Sequence, residues 1–226
     1  MANLIAVVGS SGSGKSTSIR TLNPDETFII NIASKPLPFK GWRSKYTIWS
    51  KDNPNGNYIN TSDVSLINKI LNYINTKRPE IKNIVCDDSQ YIMAFEFLDR
   101  AQEKGFQKFN DLAQKFYSVL KSGVTMRDDL NIILTCHSEN AGTSDEPMYK
   151  IKTLGKMLDS TLTVEGLFTY VLFTEVQRDD ETGVKYVFQT HSDGTTTAKS
   201  PMGCFEEDYI PNDLQYVIDK IKEYDA

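Results

Sequence analysis

The sequence lacks the features that would bind nucleic acid by bulk charge, hold a structural metal or cross a membrane. Its formal net charge is −5, with 25 Lys and Arg against 30 Asp and Glu. A strongly basic surface is therefore absent, and any nucleic-acid contact must come from a local patch. Cys86, Cys136 and Cys204 stand singly with no CxxC pair, and His137 and His191 are the only histidines. That is too few ligands at usable spacing for a structural zinc site. Isolated cysteines of this kind are expected as buried thiols in a reducing compartment. No segment approaches the roughly 18 continuous apolar residues of a membrane span. The apolar run at residues 4–8 is too short for a signal-peptide core and has no basic residue before it. The expectation is a cytoplasmic protein with no membrane partner.

What is present is an ordinary globular composition, 39 % hydrophobic and 24 % charged over 226 residues. That length fits a single domain spanning residues 1–226. Short continuous apolar runs at residues 4–8, 27–32, 81–86 and 130–136 read as strands buried on both faces. Helical patterns separate them: Ile67, Ile70, Leu71 and Ile74, with Thr61 or Ser62 as cap, then residues 89–104, then Phe109, Leu112, Ala113, Phe116 and Leu120. This β-α-β alternation predicts an α/β fold with a mainly parallel central sheet flanked by helices. Residues 33–61, rich in Pro, Gly, Asn and Ser, read as an insertion or loop with one strand around residues 46–49. In residues 163–226, two β-rich runs flank a turn at 179–183, and Pro211-Asn212-Asp213 opens a last helix. Antiparallel edge strands are expected there.

The chemistry is concentrated at Gly9-Ser10-Ser11-Gly12-Ser13-Gly14-Lys15-Ser16-Thr17, which meets the P-loop pattern G-x-x-x-x-G-K-[ST] in full, after a strand and before a helix. A triphosphate carries several negative charges, so the loop must present many backbone N–H groups at close range, and glycines permit the required turns. The following helix would aim its positive end at the same anion. Lys15 would supply a charge to the β/γ-phosphates and Ser16 a hydroxyl to Mg²⁺. A dinucleotide fingerprint fails because position 17 is Thr17, not glycine.

Two further strand ends carry polar groups. The strand ending Cys86-Asp87-Asp88 offers a carboxylate to the metal and a second to the attacking water. Asp87 is assigned to Mg²⁺ and Asp88 to water, with the reverse as the alternative. His137, just past another strand, is placed to sense the γ-phosphate or hold the water, and Glu139 is a further candidate for activating it. Separately, residues 35–46 contain four cations and three aromatics with no acid. Lys40, Trp42 and Arg43 could there track and stack a single strand. The alternatives are aromatics packed on the core beneath solvated cations, or a subunit interface.

The P-loop, the blocks Cys86-Asp87-Asp88-Ser89-Gln90 and Ile133-Leu134-Thr135-Cys136-His137, and Gly155-Lys156-Met157-Leu158 together resemble bacteriophage RecA-like P-loop proteins of the AAA type. The later blocks at residues 164–168, 198–200 and 210–214 fit the same resemblance. Some members are similar to RecA-core single-strand annealing proteins. The resemblance implies a RecA-like fold, ATP and Mg²⁺, self-assembly into a homo-oligomer and single-stranded DNA. It also implies action beside a single-strand binding protein in the host cytoplasm, with Lys156 or Lys199 reaching a neighbouring subunit's nucleotide. One departure stands out. Where RecA-like enzymes carry a glutamate after the second strand, the sequence reads Asn31-Ile32-Ala33-Ser34-Lys35-Pro36. Either Asp88 takes that role or hydrolysis is slow or absent. A non-catalytic nucleotide-binding module and, less readily, a small-molecule kinase are the rival readings. The six arginines are scattered through the sequence, which disfavours the kinase.

Overall fold

A computed structural model describes residues 1–105, 107–154, 162–179 and 183–226. Among the described residues, nine strands form the sheet: β1 (Asn3–Gly9), β2 (Thr27–Asn31), β3 (Tyr58–Asn60), β4 (Asn83–Asp87), β5 (Asn131–Asn140), β6 (Tyr149–Ile151), β7 (Tyr170–Asp179), β8 (Gly183–Gln189) and β9 (Tyr209–Pro211). The order across it is β3-β2-β4-β5-β1-β7-β8-β9, with β6 added to the far end of β5. Every pairing from β3 to β7 is parallel. The β7–β8 and β8–β9 pairings are antiparallel, so the expected edge hairpin is present.

The apolar runs are strands because both faces of the sheet are covered. Leu4, Ala6 and Val8 point to one side, with Ile84 and Cys86 of β4 and Ile132 and Leu134 of β5. Three helices bury this side: α2 (Val64–Lys77), α3 (Tyr91–Asp99) and α4 (Gln107–Val124). Helix α2 begins at Asp63, whose carboxylate accepts from the Ser65 N–H at 2.9 Å, one residue beyond the expected cap. Ile5, Val7, Ile29, Val85 and Ile133 point to the other side, against Ile19, Tyr58 and helix α5 (Leu214–Asp225). Among the described residues no helix is long and apolar enough to cross a membrane.

Two local expectations change. Residues 46–49 form no named strand; the edge place is taken by β3, to which Ile48 adds one isolated bridge. Glycine 56 explains the tight return, since a Cβ there would lie 2.5 Å from backbone atoms of Ile48 and Trp49. A four-residue helix, α1 (Trp42–Lys45), precedes this turn. The segment after the P-loop is a six-residue 3₁₀ helix, Ser16–Thr21, not a long α-helix. Hydroxyls compete for its backbone: Ser18 donates to the Lys15 carbonyl at 2.6 Å and Thr21 to that of Ser18 at 3.0 Å. Pro24 then opens the next turn. The dipole expected at the loop is correspondingly reduced.

Candidate functional site

The site gathers at the carboxyl ends of the parallel strands. Gly9 at the end of β1 pairs in register with His137 of β5, and Asn31 at the end of β2 pairs with Asp87 at the end of β4. Because β5 lies between β1 and β4, the P-loop and the acidic strand end face each other across it.

The P-loop is locked from below. Ser13 Oγ donates to the Ser10 carbonyl at 2.7 Å and lies 2.5 Å from Thr174 Oγ1, which in turn donates to the Val8 carbonyl at 3.1 Å. Gly9 must be glycine for this packing, since a Cβ would fall 1.9 Å from Thr174 Oγ1. Gly12 and Gly14 take φ of +78° and +99°, which only glycine adopts without strain. A Cβ on Gly12 would meet open space, so that residue leaves the loop's outer side clear for an anion. Lys15 is 5 % exposed and folds over the loop, donating to the carbonyls of Gly9 at 3.0 Å and Ser10 at 2.7 Å. Burial lowers its pKa, opposed by Asp88 and Asp87.

Ser16 and Asp87 meet directly: the hydroxyl donates to Oδ1 at 2.8 Å. Thr135 on β5 donates to the same oxygen at 2.7 Å. The Asp87 carboxylate is 4 % exposed, and burial, then the neighbouring Asp88, pushes its pKa up, partly offset by the two hydroxyls. A hydroxyl and a carboxylate side by side are hard oxygen donors, the set Mg²⁺ takes when it keeps waters and phosphate oxygens for its other positions. The residues therefore fit the metal.

Asp88 turns the chain. Its φ of +59° is a left-handed conformation, uncommon for a residue with a side chain. The turn is held by the Asp88 N–H donating to Thr135 Oγ1 at 2.7 Å. It lets consecutive carboxylates address one site where an extended strand would send them to opposite faces. Asp88 forms an ion pair with Lys35, and His137 Nε2 lies 3.8 Å from its other oxygen. Asp88 raises the Lys35 pKa against the opposing effect of burial. Burial, then Lys15, lowers that of His137. The imidazole is held by Tyr91, edge-on at 6.2 Å between centroids.

A cleft of about 360 Å³ opens beside these groups. Its walls are Ser11, Gly12 and residues 14–17 of the P-loop, the Lys35–Asp88–His137 group, and a second group of Arg20, Tyr186 and Asn212; Asp87 lies behind the wall, against Ser16. Lys35, Thr135, Tyr186 and Asn212 were not among the residues singled out from sequence. Lys35 had a readable signal, since it follows the end of β2, where RecA-like enzymes carry a glutamate. Asn212 lies in the block at residues 210–214 but carried no sign of a place in the cleft, and Tyr186 had no signal.

Other expected residues lie elsewhere. Glu139 sits farther along β5, opposite Lys150 of β6, whose ammonium is 3.3 Å from its carboxylate. It does not line the cleft. Phe39 and Trp42 pack partly buried against the core, and Trp42 lies 5.5 Å from the Tyr58 ring. Arg43 covers the Trp42 ring at 4.5 Å, while Lys40 is exposed. Lys199 pairs its backbone with Val171 of β7 and is not part of the cleft wall. Lys156 and the block around it, with residues 180–182 of the hairpin turn, lie outside the described residues. All three cysteines are free and buried.

Compared with known protein families, residues 1–202 match the model of a family described as AAA domain. No curated protein matches the sequence.

Proposed function

The chain belongs to the AAA domain family, and from that premise we propose that it is a Mg²⁺-dependent ATPase acting on single-stranded DNA in phage recombination, annealing or replication, as a homo-oligomer. The observation that carries the catalytic half is the Ser16–Asp87 contact beside Lys15. When bound, Mg²⁺ would neutralise charge on the phosphate oxygens. The chain's own residues do the rest. Lys15 would exchange its loop carbonyls for phosphate oxygens, and Ser16 and Asp87 would separate to hold the metal. Asp88 would accept a proton from the attacking water, with His137 orienting that water as a neutral imidazole. Such transfer is mostly positioning and charge stabilisation.

The DNA half rests on Lys40 and Arg43 as phosphate contacts. The Trp42 ring is covered by Arg43, so stacking on a base would require that guanidinium to move. A neighbouring subunit's Lys156 or Lys199 would complete the charge around the γ-phosphate.

A second reading is supported by one contact. Lys35 engages the carboxylate of Asp88, the group assigned here as base. A base so neutralised fits a module that binds nucleotide as a switch and turns it over slowly.

The test is steady-state phosphate release from ATP, with and without single-stranded DNA, beside Lys15→Ala. DNA-stimulated release that vanishes in the variant is the expected result. ATP binding with no release under either condition would leave the switch as the better account.

A further inference from the structure

The phosphate-binding loop and the acidic strand ends account for the triphosphate end of a nucleotide but give its nucleoside no seat. The opposite wall of the cleft holds three residues with no part in that chemistry. Tyr186 on β8 keeps 46 % of its surface exposed while lining the cleft. Asn212, just past β9, donates its backbone N–H to the Tyr186 carbonyl at 3.1 Å, which fixes the two side by side. Arg20 reaches Asn212 from the segment after the P-loop, donating from Nη1 to Oδ1 at 3.4 Å.

Asn212 is the informative member. It is 3 % exposed, and its Nδ2 is buried with no acceptor among the described residues. Buried donors are normally paired, and one left unpaired is a standing cost to the fold. Turning the amide over would not relieve it, because the NH₂ would then face the Arg20 guanidinium. The pair also abuts the loop directly. A Cβ on Gly14 would lie 3.0 Å from Tyr186 Cδ1 and 3.2 Å from the Asn212 amide. An aromatic face and an unpaired donor thus sit beside the last glycine of the P-loop, away from the Lys35–Asp88–His137 group.

We propose that Tyr186 and Asn212 form the nucleoside subsite, the Tyr186 ring stacking on a purine and Asn212 Nδ2 donating to a purine ring nitrogen. Arg20 is a positioning residue that holds the amide in its donor orientation. This rests on the nucleotide reading above and adds a specificity to it. Asn212 Nδ2 offers a donor, while its oxygen accepts from Arg20. Adenine and guanine both carry ring-nitrogen acceptors, so the subsite accommodates either purine without separating the two.

The experiment is calorimetric titration of the full chain with Mg-ATP, Mg-GTP and Mg-inorganic triphosphate. Wild type is compared with Tyr186→Ala, Tyr186→Phe and Asn212→Ala. Tyr186 is half exposed, so its truncation spares the core. Wild type is expected to bind ATP and GTP within about five-fold of each other, and both more tightly than triphosphate. Tyr186→Ala should weaken ATP by about ten-fold, a figure in line with base–aromatic stacking. It should leave triphosphate unchanged, while Tyr186→Phe stays within two-fold of wild type. Asn212→Ala should follow Tyr186→Ala. Wild type binding ATP no better than triphosphate would overturn the subsite, as would Tyr186→Ala weakening both ligands alike. If Tyr186→Ala binds ATP as wild type does, the seat lies elsewhere and the nucleotide reading stands. If wild type binds neither ATP nor triphosphate, both readings fall together.

Discussion

The Ser16 hydroxyl donates to Asp87 Oδ1 at 2.8 Å, joining the P-loop to an acidic strand end across the intervening strand β5. Thr135 of that strand supplies the second hydrogen bond to the same oxygen. Two neutral donors thus hold a buried carboxylate that also feels Asp88 beside it.

Asp87→Asn tests this arrangement. Asp87 has a raised pKa in the fold, so the native state binds its proton more tightly than the unfolded chain does. Its cost is absent below about pH 3.8 and complete above the folded value. At neutral pH the neutral amide keeps both hydroxyl contacts without the charge. In chelator, Asp87→Asn should raise the melting midpoint by about 2–4 °C, roughly the worth of 1 kcal/mol in a chain this size. The same variant should lose the Mg²⁺-dependent part of ATP binding. An unchanged midpoint with intact Mg²⁺ dependence would refute the assignment.

Lys35 is the cation on Asp88, with 59 % of its side chain exposed. The Asp88 side chain is only 3 % exposed, and removing the cation from a buried carboxylate is costly. Lys35→Ala should therefore lower the melting midpoint. If Asp88 is the base and Lys35 restrains it, phosphate release should rise several-fold. If Lys35 instead moves to the γ-phosphate, release should fall by ten-fold or more. No change in release would remove Lys35 from both roles.

His137 should be neutral at pH 7, because its pKa is lowered from 6.5 by burial and then by Lys15. The stability this neutral form contributes is complete above about pH 6.5. It is lost as pH falls below that value toward the folded one. Proton NMR titration should place the imidazole midpoint below 6.5, and Lys15→Ala should move it upward. A midpoint at or above 6.5 in wild type would contradict the geometry.

Gly9→Ala probes the lock under the loop. Its Cβ would strike Thr174 Oγ1, a hydroxyl already engaged with the Val8 carbonyl. A loss of about 1–3 kcal/mol is expected from overpacking, with ATP binding reduced alongside. Thr174→Ala in the same chain removes the struck oxygen and should restore part of both. Equilibrium denaturation of the single and double variants measures the coupling.

The legible parts of this molecule are those written in contiguous residues. The P-loop pattern is eight consecutive positions, Gly9 to Ser16, and its bends fall at Gly12 and Gly14. The buried strands are legible because burial on both faces leaves unbroken apolar runs such as residues 4–8. Residues 46–49 mislead because Tyr46 and Trp49 are apolar for packing, on Phe39 and Phe28 respectively, rather than for strand pairing. Trp42 also packs, its ring resting on Tyr58. Tyr186 and Asn212 reach the cleft only through the sheet order, which places β8 and β9 beyond β7 and so next to the loop. A sequence carries no local mark of such an arrival.

The central place of β1 also bears on how the chain is made. Its register partners are Asn131 onward in β5 and Tyr170 onward in β7. At roughly 5–20 residues per second, a ribosome takes several seconds to tens of seconds after β1 emerges before either neighbour exists. Through that interval an apolar strand waits with both edges open, the condition in which nascent chains stick to one another. The phosphate loop at its end cannot acquire the Thr174 lock until β7 has been synthesised. Nucleotide capture would therefore report a chain made past β7, and shorter products should hold ligand more weakly.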